Sequence, residues 1–190
     1  MTDQPSSLTS IVRKGFDRAI HEFSAQVVSQ GFLRTKRGLW VRPHEYTADV
    51  ISFHRHGSTY GAPRTASLSI RVHFAIRVLN DPFPALAANG PDSDTIGRGK
   101  HNYHLRFNAQ SGSTFDRCIQ DLVKLLIQEG EPWFRRFRPL DSLLNTADSP
   151  LGVEARKHLQ AALDGKTDPS FLKVSSKVLG LKSQLRNNSA

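Results

Sequence analysis

The segment over residues 66–78 constrains the fold most, because apolar residues occupy every second position along it without interruption. A period of two is the pattern of a β-strand that buries one face and turns the other toward solvent or a ligand. The apolar face carries Ala66, Leu68, Ile70, Val72, Phe74, Ile76 and Val78. The opposite face carries Ser67, Ser69, Arg71, His73, Ala75 and Arg77. This pattern predicts a sheet with one core face and one basic face.

Shorter patterns place the other elements around this strand. The predicted elements are a helix over residues 8–30, strands over 38–42, 46–56, 65–79 and 103–108, and helices that begin near residues 113, 140, 150 and 169. Successive strands without crossover helices between them pair antiparallel. The prediction is an α+β fold with a mostly antiparallel sheet of about four strands, and with the N-terminal helix and the C-terminal helices packed on one face.

The helices carry the clearest start and stop signals. Ser113 and Asp116 predict a capping box at the start of the helix near residue 113, and Gly130 and Pro132 predict its end. Further on, Ser149 and Asp168 each precede a proline, which favours two more helices. We therefore expect an α+β core domain over residues 1–147 and a C-terminal helical extension over residues 148–190. The connection over residues 80–100, rich in proline and glycine, is long enough to form a flap.

The positive charge of the chain is the property that most restricts the kinds of partner it can bind. The formal net charge is +9 and the pI is about 10.1, which favours contact with phosphates, acidic proteins or anionic surfaces. A surplus of Lys and Arg also serves solubility alone, and the charge does not choose between these roles. The chain carries one cysteine, Cys118, which excludes an internal disulfide. The first residues lack the pattern of a signal peptide, so we expect a cytoplasmic protein.

No set of residues in the sequence defines a reaction, so the basic sheet face is the candidate site. We predict a non-enzymatic binding module that uses this face to bind an acidic protein or another anionic macromolecule. No cofactor or metal ion is expected, and the oligomeric state is open. The partner-binding candidates are Arg55, Arg71, His73, Arg77, His104 and Arg106. The pairing register decides whether His54 or Arg55 joins the other residues on this face.

An enzyme that handles phosphate is one alternative. The string Arg55-His56-Gly57 resembles the signature of histidine phosphatases, in which a strand delivers a phosphate-accepting His beside a phosphate-binding Arg. That family needs an α/β sheet and a second catalytic His late in the chain. This sequence clusters its strands and offers only His158 there, so a polar strand end is the competing interpretation.

Nucleic-acid binding is a second alternative, and a metal site is a third. One cluster resembles surfaces that pair phosphate contacts with base stacking, because it interleaves Arg34, Lys36, Arg37 and Arg42 with Phe32, Leu33 and Trp40. A second such cluster comprises Trp133, Phe134, Arg135, Arg136, Phe137 and Arg138. These aromatic residues lie near the predicted ends of helices and strands. Packing at the edge of the core is therefore the competing interpretation. A metal site would combine His54 and His56 with His73 or His104.

Short motifs spread over about residues 12–144 give a further indication. They are Gly31-Phe32 and the segments 36–40, 51–54, 69–76 and 131–134. Together they resemble the bacterial domain-of-unknown-function family 4304. The resemblance implies a small bacterial α+β domain with no established activity, cofactor or catalytic residue. The chain departs from that pattern in residues 80–100, in the helices after residue 149, and in having His54 where many members are expected to have Gln.

Overall fold

A computed structural model describes residues 7–56, 63–96 and 103–181. In this part of the chain, five antiparallel strands form one sheet in the order β1-β2-β3-β4-β5. The strands are β1 Leu33–Lys36, β2 Leu39–Pro43, β3 Thr47–His56, β4 Ser67–Val78 and β5 Arg106–Asn108. The predicted α+β class is therefore confirmed. The sequence analysis missed β1, and β5 is shorter than the strand predicted over residues 103–108.

The helices of the described part follow the predicted order, with two short additions, over residues 93–96 and 131–137. They are α1 Leu8–Val27, α2 Ser93–Ile96, α3 Phe115–Leu125, α4 Glu131–Phe137, α5 Leu140–Asn145, α6 Val153–Leu163 and α7 Pro169–Leu179. A 3-10 turn, Val28–Gln30, extends α1 to Gly31, whose positive φ of 82° ends it. The side chain of Asp168 accepts a hydrogen bond from the Ser170 amide and caps α7, as predicted. No helix in the described ranges is long and apolar enough to cross a membrane.

The start and the end predicted for the helix near residue 113 are both wrong. Thr114 rather than Ser113 precedes α3, and no side chain caps this helix. At its other end the chain continues through a π-helical turn, Leu126–Gly130, directly into α4. Gly130 does not stop the helix because its missing side chain serves packing: a Cβ there would lie 2.8 Å from the ring of Phe74. Pro132 falls in the first turn of α4, where its missing N–H is not needed.

The main core lies on the face of the sheet covered by α1 and by α3 to α6. The alternation in β4 buries its apolar set here, as predicted. Trp40 and Phe53 meet Phe23 of α1 with ring centroids 4.9 and 4.6 Å from the Phe23 centroid, and Phe74 meets Phe134 of α4 at 5.7 Å. These rings are nearly inaccessible to solvent. The contacts join the N-terminal helix, the sheet and the later helices in one core.

A second, smaller core lies on the opposite face of the sheet. Val41, Val50 and Ala75 project there from β2, β3 and β4, and Leu179 of α7 packs on them. Helix α7 therefore differs from the other C-terminal helices, because it covers the face that β4 makes basic. The apolar patch at this end of the face is shielded from water by α7 and residues 80–88. Within the described ranges, the face is basic and uncovered at its other end.

The outer edge of β4 is paired along its length, although β5 contributes only three residues. Beyond β5, the amide of Phe74 donates to the Pro91 carbonyl at 3.1 Å, and the amide of Val72 donates to Ser93 Oγ at 3.1 Å. The side chain of Asn89 accepts from the Ile76 amide at 3.0 Å and donates to its carbonyl at 2.8 Å. Asn89 thus substitutes for a peptide of a neighbouring strand.

Replacing Asn89 with Ala is expected to lower the free energy of unfolding by about 2 kcal/mol, because both backbone groups of the buried Ile76 lose their partner. Urea denaturation measures this change. Asn145→Ala is the matched control, since the Asn145 side chain donates to Asp141 within an exposed helical turn. Equal effects of the two substitutions would contradict the role of Asn89 in the sheet edge.

Candidate functional site

A groove of about 350 Å³ lies on the second face of the sheet, at the end that α7 leaves uncovered. Its floor is formed by β2, β3 and β4, and its sides are the turn between β1 and β2 and the wall segment, residues 86–88. We call it the basic groove, because its lining includes the basic residues Lys36, Arg37, His54 and His73. Its apolar lining includes Leu39, Ala75 and Leu86. None of the lining residues is Asp or Glu, and all of them lie in the described part of the chain.

The strand register brings the two groove histidines together. His54 pairs with Arg71 and Ser52 pairs with His73, so His54 and His73 are diagonal neighbours on the same face. Their rings meet edge to face, with centroids 5.5 Å apart. Within the described part of the chain, neither ring forms a hydrogen bond. Both imidazoles are therefore available to a group that enters the groove.

Partial desolvation and a neighbouring cation favour the neutral form of these two rings, of which His54 is exposed and His73 is half-buried. Partial desolvation lowers the pKa of His54, and the charge of Arg71 lowers it further. The pKa of His73 is lowered by burial and by Arg71 in the same way, while Asp92 and Asp94 oppose this in part. A neutral imidazole carries one N–H donor and one acceptor nitrogen. The pair can therefore donate hydrogen bonds to an anion and can also accept a proton.

Arg71, a predicted site residue, stands beside the histidines and is already paired. Its guanidinium lies 3.1 Å from a carboxylate oxygen of Asp92 and 3.1 Å from one of Asp94. About a third of its side chain is exposed, at 34 %. Arg71 thus holds α2 against the sheet, and its two carboxylate partners make it a weaker anion site than the sequence suggests.

Arg77 is not on the open face, which corrects the sequence-based prediction. It is 2 % exposed, under α7 and the chain that follows β4. Its guanidinium donates to the carbonyls of Asp81 at 2.7 Å, Phe83 at 2.7 Å and Ala85 at 2.8 Å, and to Ser175 Oγ at 3.1 Å. Arg77 therefore organises the segment after β4. The alternation placed it on the correct face, but it could not show that another part of the chain covers that end.

The other three predicted residues do not line the basic groove. Arg55 pairs with Ile70 and so belongs to the main-core face, opposite to His54. His104 lies outside β5, and its amide donates to a carboxylate oxygen of Asp121 in α3 at 2.7 Å. Arg106 is exposed on β5, where its Nε donates to Ser67 Oγ at 2.7 Å. Of the six candidates, only His73 lines the groove, and Arg71 lies directly behind it.

Two further lining residues, Lys36 and Arg37, were predicted only as part of the nucleic-acid alternative, and no sequence pattern indicated the wall segment. Lys36 Nζ donates to the carbonyls of Lys177 at 2.6 Å and Val178 at 2.8 Å, near the end of α7, where helical carbonyls lack partners. Arg37 is half exposed and pairs with Asp17 of α1 at 2.7 Å. No periodic pattern marks this turn, because its position depends on the bulged pairing of β1 with β2.

The structure also bears on the residues behind the enzyme alternative. Arg55 and His54 lie on opposite faces of β3, so they cannot act on one phosphate from the strand. The side chain of His56, and Gly57, lie outside the described residues. Burial raises the pKa of the Cys118 thiol to about 12, so this cysteine does not supply a thiolate at neutral pH.

The residues behind the nucleic-acid alternative are largely core residues. Phe32, Trp40, Phe134 and Phe137 are each at most 3 % exposed, so these rings are not available to stack on bases. Arg42 instead stacks over Phe32 inside the protein, with its guanidinium carbon 4.3 Å from the ring centroid. For the metal alternative, the described residues contain no group of three or more His, Cys, Asp or Glu side chains that could hold an ion.

A second charged cluster lies on the main-core side of the sheet. Asp49, 2 % exposed, accepts hydrogen bonds from Arg42 at 2.8 and 2.9 Å and lies 2.9 Å from His44 Nε2. Arg42 also donates to Glu131 at 2.8 Å and to the Gln30 carbonyl at 3.0 Å. The cluster therefore ties β2 and β3 to α4 and to the end of α1. It does not line the basic groove, and its contacts are structural.

Comparison with known proteins adds no relative. No protein-family model, no curated protein and no solved structure matches the chain. The resemblance to family 4304 therefore stays a prediction. The chemistry of the basic groove is what remains to indicate a function.

Proposed function

We propose that this protein is a non-enzymatic binding module that uses the basic groove and its rim to bind an acidic segment of a partner protein. One observation carries the proposal: the groove is lined by four basic residues, Lys36, Arg37, His54 and His73, and its lining contains no carboxylate. A site of this composition repels cations and offers donors to anions.

The rim and the floor of the groove favour different parts of a ligand. Lys36 and Arg37 are exposed at the rim, where their charges attract acidic groups from a distance. The net charge of +9 adds to this attraction. The floor offers the aliphatic surface of Leu39, Ala75 and Leu86. A polypeptide with carboxylates beside apolar side chains complements both parts.

An acidic polypeptide fits this surface better than a nucleic acid does. Single-stranded nucleic acids are bound by exposed aromatic rings that stack on the bases, together with basic residues that contact phosphates. The aromatic residue that lines the groove, Phe53, is 4 % exposed. The lining that faces a ligand is therefore aliphatic and basic, which suits amino-acid side chains.

Binding of a model acidic peptide tests the proposal. The probe is a short capped peptide in which Leu-Glu units alternate with Gly-Ser, and isothermal titration calorimetry measures its affinity. We expect Arg37→Glu to weaken binding about tenfold or more, because it replaces an attractive charge at the rim with a repulsive one. Arg117→Glu is the matched control: Arg117 is 68 % exposed on α3, lines no part of the groove, and should leave the affinity unchanged.

Two results would contradict the proposal. One is equal affinity for a peptide in which every Glu is replaced by Gln, since the carboxylates would then contribute nothing. The other is tighter binding of a single-stranded oligonucleotide than of the acidic peptide, with a steep loss of affinity as salt increases. Lys36 is left unchanged in these variants because it also holds the end of α7.

A further inference from the structure

We propose, on the basis of the proposed function, that the basic groove selects a carboxylate next to an apolar side chain, and that the pair of His54 and His73 takes up a proton when this carboxylate binds. The recognised element of the partner is thus a carboxylate beside an apolar side chain, and pH regulates its binding. It depends on the size of the groove, the position of the two rings and the charges around them.

The size and lining of the groove limit what it can hold. Its volume of about 350 Å³ is near the lower end of ligand pockets, which range from about 300 to about 1,000 Å³. This volume accommodates a few side chains rather than a long stretch of polypeptide. Leu39, Ala75 and Leu86 surround the apolar part, and His54 and His73 lie on the same floor. An apolar side chain placed on this floor brings its neighbouring acidic residue close to the rings.

The two histidines form a receptor that is not yet charged. Their ring centroids are 5.5 Å apart, and neither ring has a hydrogen-bond partner within the described residues. Partial desolvation and Arg71 lower both pKa values, which favours the neutral form of the rings in the free protein. A carboxylate placed beside a neutral histidine favours the protonated form of the ring. Binding of the carboxylate therefore draws a proton into the groove.

The charged residues around His54 and His73 do not by themselves favour protonation of both rings. The carboxylate of the incoming ligand has to do so. On β4, Arg71 opposes protonation of both rings. From the segment that contains α2, Asp92 and Asp94 favour protonation of His73, but both are paired with Arg71. From the turn between β1 and β2, Lys36 and Arg37 add positive charge. Among the described residues, the two carboxylates that act on the pair are thus already engaged by Arg71.

The sign of the pH dependence follows from this arrangement. The complex holds a proton more readily than the free protein, so lowering the pH favours the complex. From about pH 7.5 to about pH 6 we expect the affinity for the Leu-Glu peptide to rise about fivefold or more, with uptake of one proton setting a limit of about tenfold per pH unit. The gain should level off once the rings of the free protein are themselves protonated.

Calorimetry in two buffers of different ionisation enthalpy measures the proton uptake directly. For the wild-type chain at about pH 6.5, we expect net uptake of about half a proton or more per peptide bound. The double variant His54→Gln, His73→Gln should still bind the peptide and should lose the uptake, because Gln donates a hydrogen bond but does not titrate. His21→Gln is the control: His21 is exposed on α1 and lines no part of the groove.

Two further measurements test the role of the histidines and the selectivity for an apolar side chain separately. Histidine proton signals in NMR spectra of the wild-type chain should report higher pKa values for His54 and His73 with the peptide than without it, even if the double variant does not fold. Replacing every Leu of the peptide with Ser should weaken binding about tenfold, because the apolar floor loses its ligand. Equal affinity of the Ser peptide, or unchanged histidine pKa values on binding, would overturn the corresponding part.

The outcomes also separate this inference from the proposed function. If the Leu-Glu peptide binds through Arg37 without net proton uptake, the histidine role is wrong and the binding module stands. If the peptide does not bind at all, the proposed function fails and the inference fails with it.

Discussion

Replacement of Arg77 with Met is expected to lower the free energy of unfolding by about 3 to 5 kcal/mol. The guanidinium of Arg77 serves three backbone carbonyls and the Ser175 hydroxyl in a place where the side chain is 2 % exposed. Methionine occupies a similar volume but provides no donor, so these acceptors lose their partners without gaining water. Burying an acceptor without a partner costs about 1 to 3 kcal/mol.

Urea denaturation of the two proteins measures this effect, and Arg106→Met provides the control. Arg106 is exposed and donates a hydrogen bond to Ser67 Oγ, so we expect its replacement to change stability by about 0.5 kcal/mol or less. Amide hydrogen exchange adds a local measurement. Because Arg77 joins β4 to Ser175 of α7, the amides of α7 should exchange faster in Arg77→Met. A loss below about 1 kcal/mol would show that Arg77 does not organise this region.

The second large effect is expected for Asp49→Ala, which should lower the free energy of unfolding by about 3 kcal/mol. Asp49 is 2 % exposed and receives two hydrogen bonds from Arg42. Without this carboxylate, Arg42 keeps Glu131, but its Nε loses its acceptor while the side chain remains largely buried over the ring of Phe32. Removing one partner of a buried ion pair is strongly destabilising for this reason.

Asp17→Ala is the matched control for Asp49→Ala. Asp17 also pairs with an arginine, Arg37, but both side chains are about half exposed, at 49 % and 51 %. Exposed ion pairs contribute about 1 kcal/mol or less, because water screens the charges. Thermal or urea denaturation of both variants should therefore show a clear difference. If the two substitutions cost the same, the cluster around Asp49 is not the structural link that its burial indicates.

The longest periodic segment was the most informative part of the sequence. The alternation in β4 and the antiparallel pairing were predicted from spacing alone, because side chains alternate across a strand whatever surrounds it. Short elements escaped prediction: β1 has four residues and α2 has four, which is too few for a period to show. The capping box at Ser113 was wrong because α3 begins at an exposed turn without a side-chain cap.

The candidate site was predicted only in part, and the reason is tertiary. The alternation in β4 indicated a basic sheet face that includes His73, which lines the groove. The choice between His54 and Arg55 depended on register, and the structure places His54 on the groove side. Lys36 enters the site because β1 pairs with β2 and α7 ends beside it. No local pattern records such a meeting of distant segments.

The amino-acid sequence by itself determined the class of the fold, the direction of strand pairing and the excess of positive charge, since these follow from local periodicity and composition. The tertiary structure alone decided which basic residues remain open to a ligand. Arg71, His73 and Arg77 alternate on one strand face, yet one is paired with two carboxylates, one lines a groove and one is covered by α7. Burial and pairing are set by segments far away in the chain, and a strand pattern contains no information about them.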